Sequence, residues 1–175
     1  MFVSEAESLW AGLASRVIRV ALERKAVGYA ALADALAQVG VEETERSLIA
    51  RVSRGTIKFT LLLQILDVTH AVLPPLWDAA MKLPGSWEAR AQAVLASELS
   101  QQPWVTPREL AHRLAAIGVS ITEKTLMSHL SAGTFSMALF IQCVAVLRST
   151  SLDSYIDFPD IVSAAKSGVD PVVQS

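Results

Sequence analysis

A group of cationic and hydroxyl side chains lies close together in the first half of the chain. The group consists of Thr44, Arg46, Ser47, Arg51, Arg54, Thr56 and Lys58. Arginine and lysine bind phosphate oxygens, arginine also pairs with the edge of guanine, and serine and threonine donate hydrogen bonds to phosphate. If these side chains share one surface, the chemistry they can perform is binding to the phosphates and base edges of a nucleic acid.

The overall charge of the chain limits how such binding could work. The sequence has 15 Lys and Arg against 17 Asp and Glu, for a formal net charge of -2. Affinity for nucleic acid comes largely from phosphate neutralisation, so it would have to come from a local basic patch. Glu42, Glu43 and Glu45 stand at the entry of the same segment, where they repel phosphate but stabilise a helix N-terminus. A solvated amphipathic helix face is therefore the alternative interpretation of these arginines.

Other kinds of chemistry lack the residues they require. His70, His112 and His129 lie in different segments without ligand-spaced cysteines or carboxylates, whereas zinc needs three or four converging ligands. Cys143 is the only cysteine, and its apolar surroundings predict a buried, reduced thiol. No glycine-rich phosphate loop or nucleophile motif occurs. We therefore expect a protein without catalytic residues, cofactor or metal.

An internal repeat indicates the elements that carry the cationic group. Residues 32–64 match residues 110–142 at a constant offset of 78 without a gap, and Trp10 and Trp87 open the two copies after a one-residue slip. Identical pairs include Leu36 and Leu114, Gly40 and Gly118, Thr44 and Thr122, Gly55 and Gly133. A repeat of this kind implies that one structural unit occurs twice.

The apolar residues recur at helical spacing in both copies, which predicts an all-α fold. We expect two tandem helix-turn-helix-like bundles related by internal duplication, one formed by residues 1–83 and the other by residues 84–166. Residues 167–175 should form a frayed tail. In each copy, glycine ends the second helix and a threonine, Thr44 or Thr122, starts the third. Thr106 and Pro107 form a strong helix start in the second copy.

At these positions the chain resembles the phage-repressor-like helix-turn-helix family. Leu32-Ala33 and the stretch Ile49 to Gly55 occupy the places of its second-helix Leu-Ala pair and its recognition-helix ending. Leu110-Ala111 and Met127 to Gly133 do so in the second copy. Ser53 replaces the usual glutamate, and the turn is longer. The Trp-opened duplicated unit looks closer to an uncharacterised bacterial domain family related to such domains.

The resemblance implies a bacterial transcriptional regulator that binds double-stranded DNA through its first repeat. The helix from Thr44 to Ser53 would enter the major groove, with Arg46 and Arg51 at bases or phosphates. The side chains of Arg54, Thr56 and Lys58 would clamp the backbone. With so few cations, one half-site should bind weakly, so we expect a homodimer, although a pseudo-dimer within one chain could replace it.

The second repeat has lost most of this cationic character. Lys124 and His129 are its only basic residues at the matching places, and Ala132 and Ser136 stand where Arg54 and Lys58 do. We expect it to have a structural, dimerising or protein-binding role.

The rival hypothesis is a protein-interaction module, because the chain is slightly acidic and its longest apolar stretches could form an interface. These stretches are Leu61 to Leu63 and Leu139 to Ile141. Burial of both stretches within one chain would remove this interface, whereas a large exposed apolar patch would support it. The apolar runs are too short to span a bilayer, and residues 1–5 lack the pattern of a signal peptide. A cytoplasmic protein is the expectation.

Overall fold

The chain folds into helices, as a computed structural model shows for residues 5–168. Within that range it forms ten α-helices, one 3-10 turn at Pro75–Trp77, and no strand. The helices are α1 Glu5–Arg24, α2 Tyr29–Gln38, α3 Glu45–Arg54, α4 Phe59–Val68, α5 Asp78–Met81, α6 Trp87–Ser100, α7 Pro107–Ala116, α8 Glu123–Ala132, α9 Met137–Leu147 and α10 Phe158–Ser167. The predicted all-α class and the duplication are confirmed. The predicted tail, 167–175, lies almost wholly outside the described residues.

Side-chain caps fix the starts of several helices where the sequence predicts them. The Thr44 hydroxyl accepts a hydrogen bond from the Ser47 amide at 3.0 Å, and Thr122 does the same for α8. Thr106 caps α7 by accepting from the Glu109 amide. Such caps satisfy amides that have no partner inside the helix. The two copies therefore start their third helix by the same local mechanism.

The two repeats share one hydrophobic core instead of forming two separate bundles. Helix α1 packs against α3 and α4 of its own repeat, but also against α9 and α10 of the second. Helix α6 reciprocally packs against α4 of the first repeat as well as α8 and α9. Both first helices therefore reach into the other repeat as well as packing against their own.

A short contact between the repeats marks an approximate twofold axis. Lys58 and Ser136, which are equivalent residues, form an isolated antiparallel β-bridge. The Phe59 amide donates to the Phe135 carbonyl at 3.1 Å, and the Met137 amide donates to the Ile57 carbonyl at 2.9 Å. The second bond is the first one with the roles of the two repeats exchanged. The repeats are thus related by a pseudo-twofold axis through this bridge.

Aromatic side chains fill the core beside the axis. The rings of Phe59 and Phe140 stack with centroids 3.9 Å apart, and Phe135 stacks on Phe59 at 5.4 Å. Trp77 meets both Phe59 and Phe140 edge-on. All four are essentially inaccessible to solvent. Aromatic pairs add about 0.5 to 1.5 kcal/mol each beyond the burial of their area, so this cluster joins the two repeats strongly.

Glycines allow the third helix of each repeat to approach the first helix closely. Gly55 and Gly133 end α3 and α8 in the left-handed conformation, with φ of 69° and 67°. A Cβ at Gly55 would overlap the carbonyl group of Ala11, and one at Gly133 would overlap that of Glu88. Ala11 and Glu88 are equivalent under the same slip as Trp10 and Trp87. Both glycines are therefore required by backbone contact as well as by conformation.

We expect Gly55→Ala to lower the free energy of unfolding by about 3 kcal/mol, because it adds a backbone overlap to the cost of left-handed alanine. Gly40→Ala is the matched control. Gly40 has φ of 82° but open space around its missing Cβ, so its substitution should cost about 1 kcal/mol. Urea unfolding followed by circular dichroism measures both. Equal losses would show that the approach of α1 to Gly55 is unimportant.

The shared core predicts that one repeat alone is not a folding unit. A fragment of residues 1–83 would expose the buried face of α4, including Phe59, Leu62 and Leu63, because α6 and α9 cover that face. We expect this fragment to lack cooperative thermal unfolding as a monomer, whereas residues 1–168 should unfold cooperatively. Calorimetry with sedimentation analysis tests this, and a cooperatively folded monomeric fragment would contradict it.

Candidate nucleic-acid interface

Helix α3 presents one face to the core and one to solvent. Leu48 and Val52 are buried, while Arg46, Ile49 and Ser53 are exposed. Positions three and four apart lie on one side of a helix, so these three side chains form an outward stripe. Arg46 therefore lies where a ligand could contact it, as the sequence predicts.

Three of the predicted DNA-binding side chains have partners within the chain. The Arg51 guanidinium lies 2.7 Å from one oxygen of Glu43, and the Ser47 hydroxyl donates to the other at 3.0 Å. Thr44 is occupied as the cap of α3. These three residues fix the start of α3 against the preceding loop. The geometry thus gives Thr44, Ser47 and Arg51 a structural role.

The Glu43–Arg51 pair is partly removed from solvent. The Glu43 side chain is 14% exposed and that of Arg51 is 34% exposed, and the Arg51 Nε atom is buried without a hydrogen-bond partner. In the second repeat the equivalent residues are Ile121 and His129. Both partners are thus absent together from that repeat. This joint change is the signal from which the pair could have been inferred before the structure was known.

The remaining four predicted side chains are exposed. Thr56 is uncharged, and none of the three cations, Arg46, Arg54 and Lys58, forms an ion pair with any residue in the range 5–168. After Gly55 the backbone is extended, so buried Ile57 and Phe59 alternate with outward-facing Thr56 and Lys58. The cationic end of α3 therefore continues onto the bridge between the repeats.

The bridge brings the C-terminal ends of α3 and α8 to the same region. Thr134 and Ser136, which follow α8, are exposed there as Thr56 and Lys58 are in the first repeat. The exposed faces also correspond. The matching pairs are Arg46 and Lys124, Ile49 and Met127, Ser53 and Ser131, Thr56 and Thr134. Packing does not require these exposed side chains, so their likeness in the two copies points to a surface with a use.

The comparisons with known proteins concern the duplicated unit. The family model described as a domain of unknown function, DUF6471, matches residues 10–72 and again residues 87–152. The chain belongs to the DUF6471 family. No curated protein and no solved structure matches the chain. The predicted relation to an uncharacterised duplicated family is therefore confirmed, whereas the phage-repressor likeness has no support from these comparisons.

The first DUF6471 match begins within α1 and runs through α4, and the second covers α6 to α9. The linker elements, Pro75–Trp77 and α5, lie outside the units, as does α10. Acidic residues flank the shared surface: Glu42, Glu45 and Glu123 are all exposed at the starts of α3 and α8. In the first unit, Arg54 and Lys58 thus lie at the C-terminal end of the third helix and just beyond it, away from the carboxylates at its start.

The apolar stretches that could have formed a protein interface are buried. Leu61 to Leu63 and Leu139 to Ile141 have at most 8% of their surface exposed. They supply the common core of the two DUF6471 units and leave no interface of the kind the rival hypothesis required. No helix within residues 5–168 is long and apolar enough to cross a membrane.

Sequence reasoning missed a buried carboxylate on α6 that contacts the linker. Glu98 on α6 is 3% exposed and accepts hydrogen bonds from the Trp77 indole at 2.8 Å and the Ser149 hydroxyl at 2.7 Å. It therefore ties the linker to the end of α9. Trp77 is fully buried, and its indole nitrogen also fixes Glu98.

The lone cysteine is buried, as predicted. Burial raises the pKa of the Cys143 thiol to about 12, so the thiolate needed for nucleophilic attack is disfavoured at neutral pH. Across residues 5–168, no group of three or more His, Cys, Asp or Glu side chains is arranged to hold a metal ion.

We expect Arg51→Ala to lower the free energy of unfolding by about 1 to 2 kcal/mol, because it leaves the largely buried Glu43 carboxylate without its cation. Arg46→Ala on the exposed face should change it by less than about 0.5 kcal/mol. A double-mutant cycle with Glu43→Ala, measured by urea unfolding, isolates the pair. Additive losses in the cycle would contradict a structural role for Arg51.

Proposed function

We propose that this protein binds duplex DNA through the outward face of α3 and acts as a helix-turn-helix transcriptional regulator. The observation that carries the proposal is the exposed surface around the pseudo-twofold axis. On this surface Arg46 corresponds to Lys124, Ile49 to Met127, and Ser53 and Thr56 to Ser131 and Thr134, although packing does not require these side chains. By analogy with phage-repressor-like helix-turn-helix proteins, α3 would enter the major groove of the DNA.

The dimensions of α3 suit this role. Its 10 residues span about 15 Å, and a helix fits the major groove, which is about 12 Å wide. Arg46 would pair with a guanine edge, and Ile49 would pack on a thymine methyl group. Arg54, Thr56 and Lys58 would bind phosphates. Thr44, Ser47 and Arg51 would hold the helix in position from within the protein.

The pseudo-twofold axis affects how many chains are needed to bind one DNA site. One chain already presents two helix-turn-helix-like units, and the second retains Lys124 in the place of Arg46. The loss of counterparts to Arg54 and Lys58 favours weaker binding by the second unit. The homodimer remains a prediction, and the mass of the protein–DNA complex tests it.

The second candidate function is binding of a protein partner through the same surface. Ile49 and Met127 favour it, since they are equivalent large apolar side chains that are 41% and 43% exposed. Nearby Glu42, Glu45 and Glu123 also oppose approach of a phosphate backbone. The two candidates differ in their response to salt and to loss of the arginines.

We expect selection from random duplex DNA to enrich a motif, with binding that weakens as salt rises. If the two cations placed at phosphates, Arg54 and Lys58, meet them, the slope of log affinity against log salt is about -2 per chain. Arg46→Ala with Arg54→Ala should weaken binding at least tenfold and make the slope shallower by about 1. Arg19→Ala with Lys82→Ala removes the same charge from exposed positions outside α3 and α8 and serves as control.

Unchanged affinity and slope in the Arg46 and Arg54 double variant would exclude the proposed interface. No retention of DNA even at low salt would exclude DNA binding altogether. In that case, a partner captured by the wild type but lost with Ile49→Asp would support the protein-binding candidate.

A further inference from the structure

A groove of about 530 Å³ lies between helices α7, α9 and α10. Its floor is mostly aliphatic, with the aromatic ring of Phe158 at its side. Its apolar lining includes Ile117, Val146, Phe158, Ile161 and Val162. A volume of this size accommodates a small organic molecule. The groove is separate from the outward face of α3.

The charge of the groove is of one sign. Arg113, Arg148 and Lys166 line it, and no carboxylate does. Arg113 is partly engaged, because its guanidinium pairs with Glu109 at 3.0 Å and contacts Gln102 at 3.3 Å. Arg148 and Lys166 are exposed and form no ion pair within residues 5–168. An apolar floor with cations at its edge fits a ligand that has an apolar body and an anionic group.

Comparison with the first repeat shows that the cationic edge of the groove is specific to the second repeat. The residues equivalent to Arg113, Ala145 and Arg148 are Ala35, Asp67 and His70. The second repeat therefore has two cations that the first lacks, and it has no carboxylate where Asp67 stands. These are differences between two copies of one fold, so the fold itself does not require them.

Helix α10 supplies one wall of the groove and has no full counterpart in the first repeat, where a 3-10 turn and the four-residue α5 follow the family unit. Its end is held firmly against the turn after α7. A Cβ at Gly118 would overlap the carbonyl group of Gly168, and a Cβ at Gly168 would overlap that of Ile117. This close approach fixes the width of the groove without any ligand.

We propose that the groove between α7, α9 and α10 binds an amphipathic carboxylate, such as a medium-chain fatty acid. The alkyl chain packs on Val146, Ile161 and Val162, and the carboxylate pairs with Arg148 and Lys166. Charge complementarity selects an anion, and the aliphatic floor selects an apolar body. The site does not depend on whether the outward face of α3 binds DNA.

The probe for this site is decanoate, kept below its critical micelle concentration and titrated calorimetrically into the full chain. We expect saturable binding with one decanoate per chain and weaker binding of decylammonium. Methyl NMR of the same titration should shift Ile117 and Ile161 but leave the core residue Ile18 unchanged. Equal affinity for decylammonium, or no saturable binding of decanoate, would overturn the proposal.

Charge variants locate the carboxylate. Arg148 has φ of 53°, so Arg148→Asn is suitable because asparagine tolerates that conformation. This variant and Lys166→Gln should each weaken decanoate binding about tenfold, the scale of a charge-assisted hydrogen bond. Ala145→Asp should abolish it, whereas Asp67→Ala, the reverse change at the equivalent position, should leave it intact. Decanoate affinity unchanged by Arg148→Asn together with Lys166→Gln would place the ligand elsewhere.

Discussion

The structure depends on the antiparallel contact between Lys58 and Ser136 and on the aromatic cluster behind it. Two reciprocal backbone hydrogen bonds fix the register of the repeats. The stacked rings of Phe59 and Phe140 then bury the centre of the molecule. Because α1 and α6 each pack across this axis, both repeats set the position of the third helix of each repeat, α3 and α8. The candidate interface is therefore a property of the pair of repeats.

The same contact determines which polar side chains are exposed at the surface. Along the extended segment at the bridge, Thr56 and Lys58 face solvent because they alternate with buried Ile57 and Phe59. They lie next to their counterparts in the second repeat. On the far side of the second repeat, α10 closes a groove whose cations have no equivalents in the first. The common scaffold thus presents one surface shared by both copies and one found in a single copy.

Much of the fold could be predicted from the sequence, because its signals are local. Thr44, Thr106 and Thr122 cap helices where expected, and Gly55 and Gly133 end them. The shared core could not be predicted, since periodicity indicates that α4 is buried but not that α6 and α9 cover it. The candidate site was predicted in part. Arg46, Arg54, Thr56 and Lys58 are exposed, but the pairing of Arg51 with Glu43 depends on a loop whose path the sequence does not specify.

Joining two copies in one chain converts what would be a dimerisation into an intramolecular event. The linker through Trp77 keeps the copies at an effective concentration on the order of millimolar, independent of how much protein the cell makes. Such a fused pair is also released from the symmetry that identical subunits impose, because a substitution now alters one side only. The loss of counterparts to Arg54 and Lys58 and the addition of α10 are changes that a symmetric homodimer could not have made on one side alone.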